Sequence, residues 1–397
     1  MTLSPLDGIH VLDLSRHLAG PYCAMMLGDL GAEVTKVERP GVGDETRQWG
    51  PPFLGDESAY YLCCNRNKKS LTLNLKDKEG IAIARKLAAQ SDVLIENFRI
   101  GGLDASGLDY ASLKEINPRL IYCSISGFGH TGPDHKLPGY DFLIQGRGGF
   151  MSITGERDST PMKVGVAIVD VASALFACNA ILAALLARGR TGEGQHIDIA
   201  LLDSQIALLS NVGSNYLCSG EVPGRWGNAH SSIVPYQAFR AMDDYLILSI
   251  GNDGQWKRFC AAAGVSAWAA DERFATNPQR VAHRAVLIPM LEELFRQQPV
   301  AEWLQRCADA DVPAGPVNSL DKVFADPQTL SRGMRVEMPH PTAETVPLAG
   351  TPLNLSETPT QMRIPPPLLG EHTNEILTNR LGLSNKAIAD LRQDGVI

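Results

Sequence analysis

In the stretch Val164-Gly-Val-Ala-Ile-Val-Asp170-Val-Ala-Ser-Ala-Leu-Phe-Ala177, one acidic side chain stands among small and apolar residues, where an irregular segment gives way to a helical pattern. An Asp at such a junction is a good N-cap, because its oxygens accept hydrogen bonds from the first free N–H groups of the helix. The positive end of the helix dipole would also keep the carboxylate ionised. A carboxylate held in that way can attack a carbonyl carbon and carry an acyl group covalently. Read alone, Asp170 is more often a cap and nothing else. The company it keeps decides.

Other segments hold groups fit to bind an anionic ligand. The turn Asp13-Leu-Ser-Arg16-His-Leu-Ala19-Gly-Pro21 follows a strand-like run and opens a helix, and helix N-termini bind anions. Glu38 lies eighteen residues after Gly20, about where a dinucleotide-binding fold holds a ribose hydroxyl. The G-x-G-x-x-G fingerprint of that fold is missing, so a redox Rossmann domain is poorly supported. The run Asn65-Arg66-Asn-Lys68-Lys69-Ser70-Leu-Thr-Leu-Asn-Leu-Lys76 gathers four basic groups in an acidic chain. It reads as a solvated loop or as a docking surface for a polyphosphate, with Lys as point charges and Arg as a bidentate fork. Glu96-Asn97-Phe98-Arg99 ends a strand, and ligands bind outside the carboxyl ends of strands in open α/β sheets. Phe98 suits stacking against a base, or belongs to the core.

Glycine-rich loops at 127–133 and 146–149 flank Tyr140-Asp141, where backbone N–H groups can approach a ligand closely. Candidate oxyanion donors are the N–H groups at the start of the Asp170 helix and those of the Gly148-Gly149 turn. The histidines form no H-E-x-x-H or similar pair, so no metal is expected, and no G-x-S-x-G elbow supports serine-hydrolase chemistry.

These groups are carried by alternating strand-like and helix-like segments. Ile9–Leu14, Glu33–Glu38, Asp92–Glu96, Leu120–Ile125 and Gln195–Ala200 read as strands. Helical spacing runs from Gly20 to about Leu30, from Asp77 to Gln90, over Tyr110–Ile116, over Ala172–Ala187, and from Leu201 to about Leu217. Strands alternating with helices imply βαβ units and a parallel sheet. The pattern then changes to a hairpin, Tyr236–Arg240 and Tyr245–Ile250 around Asp243-Asp244, followed by helices near 254–263, 285–297 and 300–309. The expectation is an α/β protein. Its large Rossmann-like parallel-sheet domain spans 1–200, followed by a linker helix at 201–224. A smaller α+β domain covers 225–329, and 330–397 returns to complete the large one, with a helix at Thr373–Leu381.

With 397 residues, 44% of them hydrophobic, the chain can bury a sizeable core, and its net charge of -8 argues against a nucleic-acid partner. Eight cysteines with no C-x-x-C pair fit a reducing compartment rather than a disulfide framework or zinc site. The run Met1-Thr-Leu-Ser-Pro-Leu-Asp-Gly8 lacks the basic start and apolar core of a signal peptide. No apolar run approaches the roughly 20 residues expected of a membrane span. A soluble, cytoplasmic protein with no membrane partner is expected.

Taken in order, these segments resemble the class III CoA-transferases, the family of formyl-CoA transferase and carnitine CoA-transferase. The resemblance rests on Leu6-Asp-Gly-Ile-His-Val-Leu-Asp-Leu14, Ala19-Gly-Pro21, Gly31-Ala-Glu-Val-Thr-Lys-Val-Glu-Arg-Pro40, Asn67-Lys-Lys-Ser70 and Glu96-Asn-Phe-Arg99. Further matches are Ser126-Gly-Phe-Gly129, Gly194-Gln195, Val312-Pro-Ala-Gly-Pro-Val317 and Leu368-Leu-Gly-Glu-His-Thr373. It implies an interlocked homodimer with Asp170 as the nucleophile. Acyl-CoA and a carboxylic acid are the small-molecule substrates, and no cofactor is permanently bound. Residues matching CoA contacts are Arg16, Ala19, Arg39, Leu73, Asn97 and Phe98; Lys76, Arg99 and Lys136 join them as basic or neighbouring groups. Tyr140 and Asp141 lie beside the acyl group. Ala105 stands where members often carry arginine, Pro138 where the formyl-CoA enzyme has a lysine, and Gly227–Pro235 replaces that enzyme's glycine-run lid. Formate and oxalate are therefore poor guesses.

The implied chemistry is covalent. Asp170 attacks the donor thioester to give an aspartyl–acyl anhydride, the thiolate returns to form an aspartyl-CoA thioester, and the acceptor carboxylate takes the CoA through a second anhydride. The Gly227–Pro235 loop, with His230, is the candidate lid and acyl-side contact that excludes water. An α-methylacyl-CoA racemase of the same family would need a His-Asp acid/base where this chain has Tyr140-Asp141, and a phenol of pKa about 10 is a poor base at neutral pH. A non-catalytic acyl-CoA-binding protein would have no use for Asp170. The runs at 46–52 and 227–239 are similar to the succinyl-CoA:dicarboxylate branch, which includes glutarate, itaconate and mesaconate enzymes. A dicarboxylate needs a cation for its distal carboxylate; Arg47 and Arg147 are the candidates.

Overall fold

The computed structural model describes residues 3–397, so Met1 and Thr2 of the N-terminal run lie outside the described residues. Two compact units emerge. One comprises the chain up to Phe150, residues 163–220 and Pro327 to Ile397; the other comprises 151–162 and 221–326. Two expectations are corrected: residues 201–220 belong to the first unit instead of forming a separate linker, and 151–162 leave it.

The first unit is built on a six-stranded sheet. Its strands are β1 (His10–Asp13), β2 (Glu33–Glu38), β3 (Lys68–Thr72), β4 (Val93–Glu96), β5 (Ile121–Ser126) and β6 (His196–Ala200). Every pairing is parallel, in the order β3-β2-β1-β4-β5-β6. The strands are short aliphatic runs because helices cover both faces of a parallel sheet. On one face α1 (Ala19–Asp29) and α5 (Ile168–Thr191) bring Cys23, Leu27, Ala177 and Ile181 against Val11, Val34 and Ile95. On the other, α2 (Lys78–Ala89), α3 (Tyr110–Ile116) and the C-terminal helices Thr373–Leu381 and Asn385–Gln393 supply Leu87, Leu113, Ile376 and Leu391. The strand order reverses between β1 and β4. That switch point leaves a crevice outside the carboxyl ends of the two strands, where Arg16 and Asn97 follow.

α5 is the main surprise in the helices. It begins at Ile168, four residues before the expected start, and runs for 24 residues. By length and composition it could cross a membrane, which corrects the expectation that no run approaches that size. Its Val169, Ala174, Ala177 and Ile181 are buried in the sheet-facing core, as in the core helix of a globular domain. Small residues on that stripe let α1 and the sheet approach closely. The expected helix over 201–217 is instead two, α6 (Leu201–Leu208) and Ser210–Ser219, broken at Ser210, whose φ of 46° leaves the right-handed helical region.

The second unit pairs Tyr236–Arg240, Tyr245–Ser249 and Ala314–Pro316 in an antiparallel sheet, with the hairpin turning at Asp243-Asp244. Trp256, Phe259, Phe295 and Trp303 fill its core.

Candidate active site

The β1–α1 turn is clamped from beneath by two buried lysines. Lys36 Nζ on β2 donates to Ser15 O and to Asp44 Oδ2, each at 2.9 Å. Lys68 Nζ on β3 donates to Pro21 O at 2.8 Å, to Asn65 Oδ1 at 2.9 Å and to Asp13 Oδ2 at 3.1 Å. Both lysines and both carboxylates are shut off from water, and the cations hold Asp13 and Asp44 below the usual carboxylate range despite burial. Gly20 is required where the helix leaves the turn, since a Cβ there would collide with the Ser15 side chain. The basic run at 65–76 is corrected accordingly. Arg66 pairs with buried Asp29, Lys68 serves the turn, and Lys69 donates to Glu375 at 2.8 Å; Lys76 lines a cavity. Arg66 and Lys68 are spent inside the fold and Lys69 on a surface ion pair, rather than on a polyphosphate.

From β4, the Asn97 side chain reads both sides of the Arg16 backbone: Arg16 N–H donates to Asn97 Oδ1 at 2.9 Å, and Asn97 Nδ2 donates to Arg16 O at 2.7 Å. The Arg16 guanidinium then lies 5.2 Å over the Phe98 ring. Two cavities meet at this pair. One, of about 310 Å³, is lined by Arg16, Ala19, Asn97, Phe98, Arg99, Lys136, Tyr140 and Asp170. The other, of about 440 Å³, is lined by Arg16, Phe98, Arg39, Leu73, Lys76 and Ala105. All the residues expected to hold CoA therefore line one or both of two adjoining cavities, with Asp170 in the first.

Asp170 is the third residue of α5, and Ala167 occupies the cap position. The capping role expected of Asp170 falls to Asp141, which opens α4 (Asp141–Arg147): Val169 N–H donates to Asp141 Oδ1 at 2.8 Å, and Gln145 Nε2 donates to its Oδ2 at 2.7 Å. The Asp170 carboxylate accepts no hydrogen bond among the described residues. Burial, reinforced by the Asp141 charge, pushes its carboxyl up to about 7. That corrects the expectation of a carboxylate held firmly ionised by the helix dipole. The group is a more basic, less solvated carboxylate. Of the expected oxyanion donors, Gly148 N–H is spent on Ile144 O at 2.7 Å.

Residues 6–373 match CoA-transferase family III. Over 379 residues the chain is 48% identical to the succinate–glutarate CoA-transferase of Agrobacterium fabrum, covering 94% of this chain and 95% of that protein. It is 45% identical over 395 residues to the human succinyl-CoA:glutarate CoA-transferase, covering 100% and 90% respectively. A solved CaiB/BaiF family protein from Brucella suis superposes with a TM-score of 0.87 at 48% identity, covering 95% of this chain and 100% of that one. The chain belongs to the class III CoA-transferases.

Around Asp170 of this transferase lie aromatic groups that the sequence did not flag. His17, held at a left-handed φ of 67°, lines the Asp170 cavity, stacks on Trp49 at 5.3 Å between centroids, and sits 6.0 Å from the Tyr140 ring. Burial holds its imidazole below the usual range, against the pull of Asp44 and Glu45. Trp49 in turn meets Tyr60 edge-on at 5.1 Å, and burial together with the nearby Asp170 charge raises the Tyr60 phenol. The available sequence signal was a backbone-restricted turn followed by Trp49 and Tyr60 at unremarkable spacing. Only the fold joins them.

The substrate-side arginines are placed differently from expectation. Arg47 is buried, with Nε and Nη2 donating to Glu38 at 2.8 Å, Nη2 also to Tyr61 Oη at 2.6 Å, and Nη1 to Glu57. It organises the core and does not line the Asp170 cavity; Glu38, its partner, is likewise not a free ribose acceptor. Arg147 pairs with Asp134, lies 4.7 Å from the Phe128 ring, and is also absent from that cavity's lining. His230 belongs to the second unit, in the 227–235 segment expected to act as a lid. There Arg284 donates to Ser231 O and Arg280 to Val234 O, both at 2.6 Å, so this segment is tied down within its own unit.

Proposed function

We propose that this transferase moves CoA from succinyl-CoA to glutarate, with Asp170 as the covalent carrier. The names of the 48% and 45% identical relatives support the substrate pair. The observation that carries the chemistry is a carboxylate without a hydrogen bond, raised to about 7, in a cavity that shares Arg16 and Phe98 in its lining with a second one rimmed by Arg39 and Lys76. Asp170 Oδ attacks the succinyl thioester carbon and CoA thiolate leaves, giving a mixed anhydride. The thiolate attacks the aspartyl carbonyl and succinate departs. Glutarate carboxylate then attacks the aspartyl thioester, and the returning thiolate takes the glutaryl group, restoring Asp170. Each leaving group is a stable anion, so no general acid is required, and the poor basicity of Tyr140 is no handicap. The Asp170 N–H, which has no acceptor among the described residues, is the candidate oxyanion donor.

The reading includes pairing of two copies. Leu175, Phe176, Leu186, Ile206 and Leu217 leave an apolar face exposed along α5 and the two helices after it, Leu217 being 82% exposed. The test is a mass-resolved exchange assay of succinyl-CoA with C4 to C6 dicarboxylates, itaconate and mesaconate included, on wild type and Asp170→Ala. Glutaryl-CoA should form fastest, and Asp170→Ala should form none. Comparable exchange by the variant would overturn the reading.

A further inference from the structure

We propose that Cys63 and Cys64 are a modification site, closing to a reversible vicinal disulfide under a hydroperoxide oxidant and thereby switching the transferase off. The two residues follow the short helix Ala59–Leu62, and both thiols are free, Cys63 exposed and Cys64 buried. The Cys64 thiol against it, with Lys68 and Arg66 nearby, holds the Cys63 thiol below its usual range; contact with Cys63 and burial raise Cys64. A thiolate open to oxidant thus sits directly beside a protonated thiol that can resolve it. The Cys63 thiolate attacks one peroxide oxygen, the O–O bond breaks, and the departing hydroxide takes a proton and leaves as water. Cys64 sulfur attacks the resulting sulfenic acid, the S–O bond breaks, and the hydroxide leaves with the Cys64 proton as a second water. The two thiols lose two electrons, which reduce one peroxide to two waters. Consecutive Cα atoms lie about 3.8 Å apart, short of the roughly 4.4–6.8 Å usual across a disulfide, so the bond is strained and easily reduced again by thiols.

The switch reaches the site through the contacts that both sulfurs give up. Cys64 Sγ lies 3.9 Å from His17 O and accepts from Asn65 Nδ2 at 3.4 Å. His17 lines the Asp170 cavity, and Asn65 Oδ1 accepts from Lys68, the clamp beneath the β1–α1 turn. Cys63 Sγ donates to Tyr60 O at 3.1 Å, and the Tyr60 ring meets Trp49, which stacks on His17. Turning the two sulfurs toward each other therefore disturbs this turn from two sides.

The test treats the full-length enzyme with hydrogen peroxide, removes the peroxide with catalase, blocks free thiols with iodoacetamide, and weighs the peptide carrying positions 63 and 64. CoA exchange is assayed on a portion kept unblocked. In wild type that peptide should lose two hydrogens and escape blocking. Activity should fall in step with it by about 10- to 100-fold, the cost of displacing a site-lining turn by about 1 Å, and dithiothreitol should restore both. Cys63→Ser should start at wild-type activity and keep it under peroxide. In Cys64→Ser, with dimedone present, Cys63 should be captured as the sulfenic acid adduct. A peptide still fully reduced in inactivated enzyme, a disulfide that leaves activity untouched, or a Cys63→Ser enzyme inactivated like wild type would each overturn the proposal. Because the bond is read by mass, these outcomes are separate from the exchange assay of Asp170→Ala.

Discussion

Replacing Asp170 by Asn should abolish transfer and at the same time stabilise the protein. The folded state raises this carboxyl from 3.8 to about 7, so above pH 7 folding forces a charge into a site that prefers the neutral acid. The unfolded chain releases the proton near 3.8 and the native state only near 7, so wild-type stability falls as pH rises between those values and stays at its lowered level above. Over that pH interval each tenfold change in proton activity is worth about 1.4 kcal/mol, which sets a ceiling of about 4 kcal/mol at pH 8. At pH 5 only about the first third of the interval has been crossed, and the difference is about 1.5 kcal/mol. Asn has nearly the same shape and no charge, so Asp170→Asn recovers this amount. Denaturant titrations of the two proteins at pH 8 and pH 5 would read it. A variant no more stable than wild type at pH 8, or a gain equal at both pH values, would refute the claim that Asp170 is held as a desolvated, basic carboxylate.

Three other outcomes follow from the same geometry. Because the attacking form is ionised, kcat/KM of wild type should rise with pH through about 7 and level off above it, read from a pH–rate profile with succinyl-CoA limiting. Asp141→Asn keeps an acceptor for Val169 N–H but removes the like charge, so the rising limb should move to lower pH; Asp141→Ala should in addition lose about 1 kcal/mol of helix capping in an unfolding titration. Arg47→Ala leaves Glu38 and Glu57 buried without their cation, and should cost about 3–5 kcal/mol of stability, measured by denaturant, rather than raising the glutarate KM of protein that remains folded.

The sheet was legible because its strands are short aliphatic runs between turn residues. Glu33–Glu38 stands as a strand at the expected limits, and the tail helix Thr373–Leu381 does too. The start of α5 was not, since Ile168 and Val169 continue an apolar run with no break in pattern and the true cap, Asp141, lies 28 residues away in the chain. Local reading therefore made Asp170 the cap and missed that its carboxylate is left unpaired. The roles of Lys36, Lys68 and Arg47 were equally hidden. A basic residue in an acidic protein looks like a ligand contact until tertiary structure supplies the buried carboxylate it faces. Arg16, Asn97 and Phe98 were more accessible to sequence reasoning, because both segments end strands at the point where the sheet order reverses. His17, Trp49 and Tyr60 meet only after three separate segments have folded together.

The most direct measurement is to mix the enzyme with succinyl-CoA, reduce with borohydride during turnover, digest, and weigh the peptide that carries position 170. An aspartyl thioester is reduced to the alcohol, and the account predicts that loss of one oxygen and gain of two hydrogens at Asp170 alone. An unmodified Asp170 in enzyme that is exchanging CoA, or the same change at another carboxylate, would contradict it.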